Sequence, residues 1–254
     1  MPSVAEMVVK VIVPDFPPDE LLISEDGVPL ETDWHAVEIG LLRELVHQHF
    51  AGRDDFFAGG NMFIYFNEEQ LRNKDYRGPD FFLVKNASPM PLRPYWAIWK
   101  EGGRYPNLIV ELSSASTIEL DHTVKKNIYE QIFRTPEYFC YDPDGKKLDG
   151  WRLDNGKYRT IDPNDKGWLW SEQLKSWLGT WEGFYLNRET TWLRLFTEDG
   201  ALVPTTEESA AKKVASAQAK AAAAAQSSEE QRRRAEAAEA EIAKLKAQLE
   251  LKKD

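Results

Sequence analysis

The sequence predicts a mixed α/β domain followed by one long C-terminal helix. Three observations lead there. Apolar, β-rich runs at 61–66, 80–84, 107–113 and 137–141 are interleaved with two segments of helical periodicity. All nine tryptophans fall within residues 1–206, enough aromatic mass for a sizeable core. Residues 207–254 contain no aromatic residue, and their ten Lys/Arg offset nine Asp/Glu. The net charge of −10 is therefore −11 in the first 206 residues and +1 in the rest.

Residues 1–33 are rich in proline and acid and read as an extended arm. Asp33 is placed to cap a helix from Trp34 to about Phe50, ending before Gly52. Asn61–Phe66 and Asp80–Val84 read as strands, with Gly78-Pro79 punctuating entry to the second. Residues 86–106 carry Pro89, Pro91, Pro94, Gly102 and Gly103, the composition of a long loop. Within it, Tyr95, Trp96 and Trp99 are read chiefly as a satellite core, with base stacking as the alternative. Asn107–Ser113 is a buried central strand, followed by a helix from about Asp121 to Arg134 and a strand Glu137–Tyr141. Trp151–Leu153 and Lys157–Ile161 flank Asp154-Asn155-Gly156, a hairpin signal. Trp168, Trp170, Trp177, Trp181 and Trp192 are expected in the core.

The last segment, 207–254, spaces Val214, Ala221, Ser228, Ala235, Ile242 and Leu249 at one heptad position. Ala217, Ala224, Gln231, Ala238 and Leu245 occupy its partner, an apolar seam on a long helix. A coiled coil and a solvated charged helix are both open from this pattern. The predicted division is 1–33, 34–206 and 207–254.

Several charged residues sit where periodicity asks for apolar ones. Glu38 falls in the middle of the Trp34–Val37–Leu41–Leu42–Leu45 face. A carboxylate there needs an Arg or Lys, backbone amides or a metal ion. On the second helix Val124, Ile128 and Ile132 define the predicted apolar face, with Tyr129 at its edge. Lys125 projects into that arc and Lys126 away from it; Asp121 is available as an i,i+4 partner. Asp80 opens one apolar strand and Glu111 interrupts another.

Other chemistries are poorly represented. Cys140 is the single cysteine, which excludes a disulfide framework and a cysteine metal cage. The four histidines, His35, His47, His49 and His122, have no zinc-type spacing. No glycine loop for a nucleotide cofactor is present, so no small-molecule cofactor is expected. No run reaches the ~18 apolar residues of a membrane span, and the N-terminus lacks a signal-peptide pattern. The expectation is a soluble, cytoplasmic protein.

Several strings carry a family likeness. They are Pro79-Asp80, then Asn107-Leu-Ile-Val-Glu111-Leu-Ser-Ser-Ala-Ser-Thr117, then Asp121-x₃-Lys125-x₃-Tyr129, and Pro136-Glu-Tyr138 with Asp142-Pro143. Gly167-Trp-Leu-Trp170, Leu174-x₂-Trp-Leu178, Trp192-Leu-Arg194 and the Ala/Glu/Arg-rich tail continue it. Over residues 34–254 the chain resembles the Uma family of restriction endonucleases, within the PD-(D/E)XK nuclease superfamily. The resemblance implies a restriction-endonuclease-like central four-stranded mixed sheet flanked by helices.

It also implies that Asp80 and Glu111 are catalytic and, with the Leu112 carbonyl, hold Mg²⁺ or Mn²⁺. Ser113 stands where the superfamily usually has lysine; Lys125 would supply that function from the following helix. Burial in the apolar face would lower the Lys125 pKa. Glu38, Asp121, Ser113 and Tyr129 are accessory positions, and His35 matches a recurrent helix-start histidine. The implied function is metal-dependent endonucleolytic cleavage of DNA by a homodimer. The alternative is an inactive nuclease-fold module for nucleic-acid binding or assembly. Lys74, Arg77, Arg93, Lys100, Lys125 and Lys126 are the local cations that could meet phosphate against the acidic background.

Overall fold

A computed structural model describes residues 22, 32–67, 70 and 78–250, with side chains through residue 246. The predicted arm therefore lies almost wholly outside the described residues, as do Lys74, Arg77 and the Leu249 side chain. The chain divides into two compact units, Met1–Val203 and Pro204–Asp254.

The first unit opens with helix α1, Asp33–His49. Its cap is Thr32 rather than Asp33: the threonine backbone is extended and its hydroxyl accepts from the His35 amide. Strand β1, Phe56–Gly60, was not foreseen, because two terminal glycines read as loop. Gly59 belongs there because a β-carbon would collide with the Phe82 ring. The run at 61–66 shortens to β2, Ile64–Tyr65. Strand β3 spans Phe81–Lys85 and the expected loop contains β4, Trp96–Ala97, which pairs in parallel with β2. Trp96 is fully buried against Phe57 and Phe82 in the main core rather than a satellite, while Tyr95 and Trp99 pack on a smaller cluster with Tyr65 and Ala97.

Strand β5, Leu108–Leu112, precedes helix α2, which starts at Ile118–Leu120, makes a π turn over Asp121–Lys125 and ends in Lys126–Gln131. Strand β6, Glu137–Asp142, leads into β7, Lys147–Asp154, and β8, Lys157–Thr160. The β7–β8 turn is made by Asn155 and Gly156, both at positive φ, as the hairpin signal requires. These strands form one six-stranded mixed sheet, ordered β1-β3-β5-β6-β7-β8, in which only β5 and β6 pair in parallel. It is two strands wider than the four implied, because the β7–β8 hairpin extends the edge beyond β6.

Strand alternation sorts the side chains into two cores. Phe81, Leu83, Leu108, Val110, Phe139 and Tyr141 face α1. Phe82, Val84, Ile109, Tyr138 and Cys140 face α2 through Tyr129 and Phe133. A second antiparallel sheet, β9 (Leu169–Ser171), β10 (Ser176–Tyr185) and β11 (Arg188–Phe196), contributes to the α1-side core. Trp192 is fully buried there, whereas Trp168, Trp170, Trp177 and Trp181 are half-buried, less than the sequence suggested.

The second unit is helix α3, Thr206–Glu250. A capping box starts it: the Thr205 amide donates to Glu208 Oε2 (2.8 Å) and the Glu208 amide to Thr205 Oγ1 (3.2 Å). Ion pairs such as Arg233–Glu229 (3.2 Å) run along its exposed surface. No described helix is long and apolar enough to cross a membrane.

Candidate active site

The β3–β5 register sets Phe81 opposite Val110, so the next pair outward is Asp80 and Glu111. Both point to the α2 side, by the alternation that buries Phe82 and Ile109 there. Two hydrogen bonds hold them together. The Leu112 amide donates to Asp80 Oδ2 (2.7 Å) and the Asp80 amide approaches Glu111 Oε2 at 3.4 Å. Glu111 is fully buried and Asp80 half-buried.

Helix α2 supplies the groups above this pair. Lys125 Nζ lies 2.8 Å from Asp121 Oδ1 and 3.2 Å from Glu111 Oε2. The Tyr129 hydroxyl donates to Glu111 Oε1 (2.7 Å), and Ser113 Oγ donates to Asp121 Oδ2 (2.8 Å). The structure thus brings together Asp80, Glu111, Lys125, Asp121, Ser113 and Tyr129. Tyr138 joins them, donating its hydroxyl to the Asp121 carbonyl (2.9 Å). Sequence reasoning missed Tyr138, though strand alternation places it on the same face as Glu111.

The exposed side of α2 differs from expectation. Val124 and Ile132 are exposed and Ile128 half-buried, while Asp121, Tyr129 and Phe133 face the sheet. In an α-helix residues four apart drift by about 40° around the axis. The π turn widens the spiral locally, so Asp121, Lys125 and Tyr129 stay nearly in line over Glu111. The polar line won the inward face because Glu111 needs its partners there.

The electrostatics follow from crowding. Burial pushes Glu111 up to about 8, with Asp80 and Asp121 adding to the rise against Lys125. Burial likewise raises Asp80, opposed by the Leu112 amide and Lys125. For Lys125, burial works against the charge, yet Glu111 and Asp121 outweigh it and hold the ammonium above its ordinary value. The expected lowering of its pKa is therefore overturned: ion pairing exceeds desolvation.

Glu38 is held elsewhere. It is fully buried on α1, on the other side of the sheet, and its Oε2 accepts from the Leu193 amide (3.2 Å). Burial raises it to about 8, moderated by that amide and by the Arg194 guanidinium. His35 touches the site from beneath: its Nε2 lies 3.1 Å from the Leu112 carbonyl and its Nδ1 2.8 Å from Thr32 Oγ1. A carbonyl only accepts, so Nε2 carries the proton. Of the remaining cations, Lys126 lies over the Trp151 ring (4.1 Å), Arg93 pairs with Glu101, and Lys100 donates to the Tyr95 hydroxyl (3.2 Å).

Among the described residues, no three or more His, Cys, Asp or Glu side chains are grouped to hold a metal ion. Two carboxylates and a carbonyl are nevertheless the hard oxygen donors that Mg²⁺ or Mn²⁺ takes while keeping several waters. Three carboxylates around one lysine also leave excess negative charge, so the donor set fits a hard divalent cation and not a structural zinc site.

A mixed sheet with an acidic pair at its centre, flanked by helices, defines a restriction-endonuclease-like fold. The family described as Uma2, "putative restriction endonuclease", matches residues 22–205, and the chain belongs to that family. Among solved structures, it is similar to a "putative nuclease belonging to DUF820" from Anabaena variabilis. That likeness has 14% identity and a TM-score of 0.42, covering 57% of this chain and 76% of the other. No curated protein matches.

Proposed function

We propose that the protein is a metal-dependent endonuclease that hydrolyses phosphodiester bonds in DNA. The observation that carries this reading is the convergence of Asp80, Glu111 and Asp121 on the single cation Lys125. Asp80 and Glu111, with the Leu112 carbonyl, would hold Mg²⁺ or Mn²⁺. Such an ion supplies charge neutralisation at a phosphate and acidifies water. Lys125 orients the attacking water and offsets charge on the phosphorus centre, steered by Asp121. Tyr129 and the Leu112 amide keep the two carboxylates aimed. Ser113 fixes Asp121 from the strand end. The heptad seam of α3 supports a homodimer, the arrangement suited to cutting both strands of a duplex.

One observation favours an inactive module instead. Both Glu111 oxygens already have partners, Tyr129 on Oε1 and Lys125 with the Asp80 amide on Oε2. A cleavage assay separates the two. Wild type and Asp80→Ala are given supercoiled plasmid, linear duplex and single-stranded DNA with Mg²⁺, Mn²⁺ or EDTA. Cutting is expected with wild type and metal only; equal cutting by Asp80→Ala would remove the assignment, and none on any substrate would favour the inactive module.

A further inference from the structure

On the sheet face opposite Asp80 and Glu111, a cleft of about 460 Å³ opens between β7–β8 and β9–β10. Arg152 and Arg159 are direct cross-strand partners on one wall. Trp170 and Trp177 are direct cross-strand partners on the other, their rings meeting edge to face at 5.1 Å. Like charges directly opposite are unfavourable in a sheet. Here each arginine has its own carboxylate: Arg152 Nη2 lies 3.0 Å from Glu137 Oε1 and Arg159 Nε 2.6 Å from Asp154 Oδ2. Arg152 Nη2 also donates to the Trp170 carbonyl (2.8 Å), tying the two walls together.

Both indole N–H groups are spent outside the cleft's stacking faces, Trp170 on Glu172 Oε1 (2.9 Å) and Trp177 on the Glu198 carbonyl (3.3 Å). What the half-buried rings offer is therefore π surface. Asp162 also lines the space, so arginine donors and carboxylate acceptors are both present and balanced in charge. A phosphate would want an excess of cations. A planar ligand whose edge carries both donors and acceptors would not.

We infer that this cleft binds an unpaired nucleobase, stacked on the face of Trp177 with Trp170 edge-on beside it and read at its edge by Arg159 and Asp162. Guanine matches best, since it presents two acceptors to a guanidinium and donors to a carboxylate. Aromatic stacking of unpaired bases supplies the rest of the affinity. The ligand is a free nucleoside or a base in a single strand. It rests on the cleft alone, and the nuclease reading stands or falls separately.

The test is calorimetric titration of the full chain in EDTA, which prevents metal-dependent cutting. The probes are guanosine, a thymidine hexamer with one central guanine, and a long duplex in which that hexamer sequence is fully paired. The hexamer is expected to bind and the duplex to bind at least about tenfold more weakly. Guanosine binding as tightly as the hexamer would identify the free nucleoside as the source. Trp177→Leu and Arg159→Gln should each weaken binding about tenfold while melting like wild type. Asp80→Ala should bind as wild type does, which separates this site from the candidate active site. Absence of binding by guanosine and hexamer, equal binding of the duplex, or indifference to both cleft variants would overturn the proposal.

Discussion

Lys125 and Lys126 are neighbours in sequence with different surroundings, one between two carboxylates and one on an indole face. Lys125→Ala is expected to reduce plasmid cleavage about 10²–10⁴-fold, whereas Lys126→Ala keeps it; equal rates in both variants would sink the role given to Lys125. Glu38 makes a second prediction at this scale. Its folded pKa of about 8 lies above the ordinary 4.5, so the folded state holds the proton more tightly than the unfolded chain. Its contribution to stability is full below pH 4.5 and is lost as pH rises through 8. Glu38→Gln should therefore be more stable than wild type at pH 9, on the order of 5 kcal/mol, and nearly equal near pH 4.5. Urea melts at the two pH values check this, and parallel curves would refute it. Lys125 was expected inward from the arc of Val124, Ile128 and Ile132, but that arc faces outward and the lysine turns in on the line of Asp121 and Tyr129 instead. Its raised pKa was not legible, since Glu111 arrives from another element to add to the Asp121 carboxylate already available on the helix.

At the scale of elements, the strand end of β6 binds the two sheets of the first unit. Glu137 is buried and accepts from Arg152 Nε (3.0 Å), the Glu172 amide (2.8 Å), the Gln173 amide (3.1 Å) and Ser171 Oγ. Glu137→Ala should cost about 3–5 kcal/mol, read as a lower urea midpoint, because it orphans the Ser171 hydroxyl and the Glu172 and Gln173 amides together, while the half-exposed Arg152 guanidinium keeps its bond to the Trp170 carbonyl. A shift below ~1 kcal/mol would mean the β9 turn is held otherwise. The hairpin of β7 and β8 was readable because its turn chemistry is local. Strands β9–β11 were not, because the β10–β11 hairpin turns through Leu186 and Asn187, both at positive φ but without the glycine that would signal it, and Trp170, Trp177 and Trp181 are only half-buried. The partner of Glu38 was signalled more faintly: Arg194 interrupts the apolar run Trp192–Phe196 as Glu38 interrupts its helix.

For the molecule as a whole, net charge −10 and the balanced α3 helix pull in different directions for a DNA-acting protein. Long-range attraction to phosphate is weak, so the proposed cleavage of DNA would draw its affinity from local contacts and the proposed metal site. In α3, Val214, Ile242 and Leu245 are all exposed at seam positions. Sedimentation of the full chain should show a dimer, and the double variant Ile242→Lys/Leu245→Lys should sediment as a monomer. A monomeric wild type would leave α3 as a solvated helix.

The π turn at Asp121–Lys125 carries a consequence about chain length. A π turn is the footprint of one residue accommodated within a helix. Removing Val124, whose exposed side chain does little packing, would leave the composition of the site intact and let the turn relax to a regular α-helix, in which Tyr129 falls only about 20° out of line with Asp121 while Lys125, then three residues on, stands about 60° from it. The Asp121–Lys125 pair would be respaced from four residues to three by a deletion that touches no polar residue, while Tyr129 kept its direction towards Glu111. At this position the spacing of the chain, counted in residues, is as much a part of the site as the side chains it delivers.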